Sequence, residues 1–164
     1  MKNMDRDGRL LCEMQGTIFE KSAEDYDTSS AVFVRRYMNS EYAARMDRDG
    51  NLDRPTDANE AFDSLDSQYG PCSYGSEKYA PDELYWIGYI YRYWAYTRET
   101  TSKAIYRRYN ARDMHRVYYA YHTLDPENAI QRLLEAKNMP ITEDQQLAAA
   151  VEILRRIRQN SANR

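Results

Sequence analysis

Residues 81–121 read PDELYWIGYIYRYWAYTRETTSKAIYRRYNARDMHRVYYAY and hold ten of the sixteen tyrosines and both tryptophans. Covering those rings is the largest packing demand in the chain, so other segments must be arranged around them. The stretch opens on Pro81-Asp82-Glu83, which is a strong helix start. Proline suits the first helical position, and acids favour the positive end of the helix dipole. The alternation of Tyr89, Tyr91 and Tyr93, with its aromatic and β-branched surroundings, also suits a strand. The start signal and a length of about seventeen residues favour a helix over 81–97. A helix aromatic on nearly every side is expected to sit centrally, covered by its neighbours.

The remaining segments supply such neighbours. Leu10, Leu11, Met14, Ile18 and Phe19 recur at helical spacing and predict a first helix over about 10–25. Residues 1–9 are polar and expected to fray. Ser29 or Ser30 caps a second helix with Val32 or Phe33, Tyr37, Ala44 and Met46 inward. Thr56 or Asp57 caps a third, with Ala58, Ala61, Phe62, Leu65 and Tyr69 inward, and Gly70-Pro71 ends it. After the central helix, Thr100 or Thr101 caps a helix over 102–109, and Asn110 caps another over 111–122. Asp125-Pro126-Glu127 opens a helix over 127–137 with Ile130, Leu133 and Leu134 inward. Thr142 and Gln145 form a capping box before a final amphipathic helix over 142–159, and residues 160–164 are expected to fray. Leu147, Val151, Leu154 and Ile157 form its stripe, which either completes the core or pairs with another helix, including that of a second copy. The expected fold is all-α: one domain of about seven helices around the central aromatic helix.

Charge is segregated. Residues 1–84 carry ten basic and eighteen acidic side chains, whereas residues 85–122 carry seven basic and two acidic. The acidic front disfavours non-specific nucleic-acid binding by the whole chain, and the basic middle leaves a local site open. The two cysteines, Cys12 and Cys72, have no metal or disulfide spacing and are expected to be reduced thiols in a cytoplasmic protein. No apolar run follows Met1-Lys2-Asn3, so no signal peptide is expected, and Leu84–Tyr96 is too short and too rich in tyrosine to span a bilayer.

No motif carries catalytic chemistry. Asp47, Asp49 and Asn51 match the first half of a calcium loop. Leu52 then stands where the bend needs glycine, and Ala58 where a bidentate glutamate is needed, so a polar interhelical loop is the better reading. His115 and His122 lie seven residues apart and can share a helix face. Neither an HExxH pattern nor clustered cysteines supply further metal ligands, and a general base needs a positioned partner that sequence does not reveal. No catalytic residue, metal or cofactor is therefore expected. The Tyr/Arg mixture over 91–121 could stack bases and contact phosphates, but it lacks a recognised nucleic-acid signature. Tyr, Trp and Arg are also the preferred anchors of protein interfaces. Most of these rings are expected in the core, with Tyr91, Arg92, Tyr96, Arg107, Arg108 and Tyr109 expected to contact a partner.

Three patches, SAVFVRRYMNS over 30–40, LYWIGYIYR over 84–92 and YAYHTLDPE over 119–127 leading into Ala129-Ile130, together resemble a group of small bacterial proteins. These come mainly from Gram-positive and gut anaerobes, in gene neighbourhoods containing toxin-like proteins, including ADP-ribosyltransferase-like ones. The resemblance covers roughly residues 10–137 and leaves out the last helix. It implies an antitoxin-like or accessory binding role and supplies no catalytic residues.

Overall fold

The computed structural model describes residues 1–48 and 57–138. Every regular element among the described residues is a helix: α1 (Arg6–Asp25), α2 (Ser30–Met38), α3 (Glu41–Arg48), α4 (Ala58–Tyr69), α5 (Pro81–Arg98), α6 (Ser102–Arg108), α7 (Ala111–Tyr121) and α8 (Pro126–Asn138). The all-α reading is correct, with eight helices in the described part. The chain divides into two compact units, Met1–Leu124 and Asp125–Arg164. The expected helix over 142–159, its pairing face and the fraying of 160–164 lie outside the described residues.

The first unit is organised by a long antiparallel pairing of α1 with α5. Three glycines set its closeness. A Cβ on Gly88 would stand 2.7 Å from the Gln15 carbonyl oxygen and from the Phe19 ring. A Cβ on Gly16 would meet the Tyr85 ring at 2.9 Å, and one on Gly8 would meet Tyr96 at 2.6 Å. The helices approach because these positions have no side chain.

The interior rings come from four helices. Phe19 stands edge-on to Phe33, Tyr37 and Tyr91, and Tyr26 and Phe62 extend the cluster through Phe33. Edge-to-face contacts of this kind suit the ring quadrupole. α5 supplies Leu84, Ile87, Ile90, Tyr91 and Trp94 to the buried side and also packs against α6 and α7. Its Tyr85, Tyr89 and Tyr93 stay half-exposed, so the aromatic helix is covered on several sides but not all round.

Two boundaries differ from expectation. Residues 1–9 include the first turn of α1, because Asp5 caps it through the Gly8 N–H and accepts from the Tyr96 hydroxyl, while the Lys2 N–H donates to the Thr97 carbonyl. The second expected helix divides into α2 and α3 at Asn39-Ser40. There the Asn39 amide donates to the Arg35 carbonyl and the Ser40 hydroxyl to the Tyr37 carbonyl. These side chains compete with the helical backbone pattern. Ser40 Oγ then accepts from the Ala43 N–H, restarting the chain as α3.

The loop 71–80 is pinned to α1 and α2. The Ser29 and Ser30 N–H groups donate to the Tyr74 and Glu77 carbonyls, and the Tyr79 N–H donates to Ser30 Oγ. Lys78 Nζ donates to the Ser22 and Tyr26 carbonyls at the end of α1, satisfying acceptors a helix terminus leaves open. In the second unit, Asp125 accepts from the Glu127 and Asn128 N–H groups at the start of α8, and Ala129, Ile130 and Leu133 form its buried side.

Candidate functional site

Half of the residues expected to contact a partner are interior. Tyr91 is fully buried and donates to the Tyr109 carbonyl at 2.6 Å, and Tyr109 is itself buried with its ring 6.0 Å from that of Trp94. Arg92 is 1% exposed. Its Nη1 pairs with Asp47 Oδ1 at 2.6 Å, its Nε donates to Gln15 at 2.9 Å and its Nη2 to Ser102 at 3.0 Å. Asp47 also accepts from the Ser102 N–H and hydroxyl, and Gln15 Oε1 accepts from Tyr37. This network ties α1, α3, α5 and α6 together. It explains why a charged side chain can sit in the core: each guanidinium nitrogen has a partner, and those partners are themselves bonded to one another or to Tyr37. The expectation of surface contact for Tyr91, Arg92 and Tyr109 is therefore corrected, because sequence spacing could not tell which helix faces turn inward.

Tyr96 is half-buried, held by Asp5 and covered by the Lys2 ammonium 4.1 Å from its ring centre. Arg107 and Arg108 are exposed on α6. The six residues do not form one patch.

What the structure does align is a tyrosine row on α5. Tyr85 and Tyr89 stack with ring centres 6.0 Å apart at 28°, and Tyr89 and Tyr93 follow at 6.3 Å and 29°. The four-residue spacing puts them on one helix face. Tyr85 rests over Gly16, with Cys12 one turn earlier in α1 and Gly8 one turn before that, beneath Tyr96. The absence of a side chain at Gly16 lets the Tyr85 ring lie close against α1. The outer edges of the three rings stay open, and Glu13 and Glu20 are exposed beside them on α1. Burial, then Glu13 and Glu20, push the Tyr85 hydroxyl up from its ordinary range, and burial with Cys12 pushes Tyr89 to about 12. These hydroxyls remain neutral donors at physiological pH. Burial likewise pushes the Cys12 thiol to about 12, which leaves it without nucleophilic thiolate. The sequence contained a signal for this row in the four-residue spacing of Tyr85, Tyr89 and Tyr93.

The histidines have packing roles. His115 Nδ1 lies 2.5 Å from Glu83 Oε2, and its ring stacks on Tyr79 at 4.0 Å and 4°. His122 stacks on Tyr118 at 4.5 Å, in a second ring cluster with Trp86 and the exposed Tyr119. Neither histidine lines the clefts at Tyr96 or at Arg35 and Arg112. Among the described residues, no group of three or more His, Cys, Asp or Glu side chains could hold a metal ion. Asp47, the first position of the calcium-like loop, is committed to Arg92, and residues 49–56 lie outside the described part. No helix among the described residues is long and apolar enough to cross a membrane.

No protein-family model, curated protein or solved structure matches this chain.

Proposed function

We propose that the protein is a non-enzymatic cytoplasmic binding module that docks a partner protein through the α5 tyrosine row, in the manner of an antitoxin holding a toxin enzyme. The observation that carries this reading is the row itself: three stacked, half-exposed rings along α5, the first lying over Gly16, with Glu13 and Glu20 exposed beside it. Tyrosine rings have few rotatable bonds to immobilise on binding and supply large contact area, as interface anchors do. Carboxylates beside tyrosine faces suit a partner presenting lysine or arginine, through charge complementarity and cation–π contact. The resemblance to proteins in toxin-containing gene neighbourhoods points to the same class of partner.

The test is co-expression with the product of the adjacent gene. The reading expects that product to be toxic alone, harmless with this protein, and co-purified with it. A neighbour that is harmless alone and forms no complex contradicts the reading.

Nucleic-acid binding is the second reading. It draws on Lys103, Arg107, Arg108, Arg112 and Arg116, all exposed on α6 and α7. It requires an affinity for DNA or RNA that falls steeply with salt. The tyrosine row would not serve that role, since its acidic flank repels phosphate.

A further inference from the structure

A cleft of about 630 Å³ opens where the loop 71–80 meets the starts of α2 and α7. Its volume lies within the range that encloses small ligands, roughly 300–1,000 Å³. Arg35, Arg112, Tyr74, Tyr106, Ser76 and Glu77 are among its lining residues. Among the described residues, neither the Arg35 nor the Arg112 guanidinium has an ion-pair or hydrogen-bond partner. Both act on the Tyr106 hydroxyl, opposing the rise that burial causes there. Two cations and the half-buried Tyr106 ring thus line one cleft, and Glu77 is the single carboxylate on the lining.

The walls are fixed before any ligand arrives. Gly75 adopts φ +82°, and a Cβ there would stand 2.7 Å from Ser29, so the loop lies directly on the start of α2. The Tyr74 and Glu77 carbonyls take up the Ser29 and Ser30 N–H groups. The α2 terminus is thereby satisfied internally, and the attraction for an anion rests on the two arginines. Guanidinium pairs grip phosphate through directed N–H donors, and a tyrosine ring offers a face to a planar group.

We infer that this cleft binds a small phosphate monoester carrying a planar ring, with the phosphate between Arg35 and Arg112 and the ring against Tyr106. A nucleoside monophosphate has both parts and serves as the probe. This site is separate from the tyrosine row, so its test is independent of the partner-binding proposal.

The experiment is titration of the full chain with AMP, with inorganic phosphate and with a single-stranded oligonucleotide, followed by calorimetry and amide chemical shifts. Saturable AMP binding is expected, tighter than phosphate alone, with shifts at residues 74–77 and 106–112. Arg35→Gln and Arg112→Gln are each expected to weaken AMP about tenfold or more, the loss of one charge-assisted hydrogen bond. Tyr106→Leu should weaken AMP but leave inorganic phosphate unchanged. Arg9→Gln, on the exposed side of α1, should change nothing. All these positions except Tyr106 are exposed, so far-ultraviolet circular dichroism should match the parent. Absence of saturable AMP binding at millimolar concentration overturns the inference. So does equal AMP binding by the two arginine variants, or binding confined to the oligonucleotide.

Discussion

Arg92 shows how one residue can be misjudged from sequence and then account for much of the core. Its Asp47, Gln15 and Ser102 partners stand 45, 77 and 10 positions away, so no local pattern reveals them. Removing one member of a buried charge pair leaves the other desolvated and unpaired, which costs about 3–5 kcal/mol. Arg92→Met and Asp47→Ala are each expected to lower unfolding free energy by that order in urea melts. The double variant should lose clearly less than the sum, because the second change removes an already orphaned charge. The tyrosines make a separate prediction. Burial raises Tyr26, Tyr89 and Tyr96 to about 12, above the ordinary value of 10.0. A folded-state pKa above the unfolded one means stability is fully present below pH 10 and declines as pH rises toward 12, because the unfolded chain releases these protons first. Tyrosinate absorbance should therefore rise together with loss of helical circular dichroism across that window. Tyrosinate formation complete while the helices remain intact would contradict the placement of these rings.

At the scale of elements, the starts and stops were the legible part. Pro81 with its acids opened α5, Asn110 capped α7, and Gly70 closed α4 at φ 88°. Each depends on residues adjacent in sequence, so local chemistry reveals it. The division at Asn39-Ser40 was not legible, since an apolar stripe runs through it and side-chain competition with the backbone is weak. Apart from the four-residue spacing of Tyr85, Tyr89 and Tyr93, the faces of α5 that turn inward were not legible, because they are set by long-range approaches such as Gly88 against Gln15 and Phe19. The pairing makes a graded prediction. Gly88→Ala places a methyl against the Gln15 carbonyl and Phe19, a backbone and a core ring, and should cost about 1–3 kcal/mol in thermal or urea unfolding. Gly16→Ala first meets the half-exposed Tyr85 ring, a side chain that can swing outward, and should cost clearly less. Equal costs would mean that the row is as tightly held as the core.

For the whole molecule, the separation of charge acquires a spatial meaning. The acidic α1 runs beside the tyrosine row, whereas exposed bases gather on α6 and α7. The two candidate surfaces therefore differ in sign and can be disabled separately without disturbing the core. Glu13 and Glu20 are exposed and free of ion pairs among the described residues, as is Arg107. The most direct test of the proposed role is retention of the adjacent gene's product on immobilised Glu13→Lys/Glu20→Lys protein, compared with Arg107→Gln/Arg108→Gln and the parent. Docking on the tyrosine row predicts that the charge reversal weakens retention at least tenfold, the arginine variant holds the partner as the parent does, and all three melt alike. Full retention by the reversed protein, with loss in the arginine variant, would place recognition on the opposite charge and contradict the account.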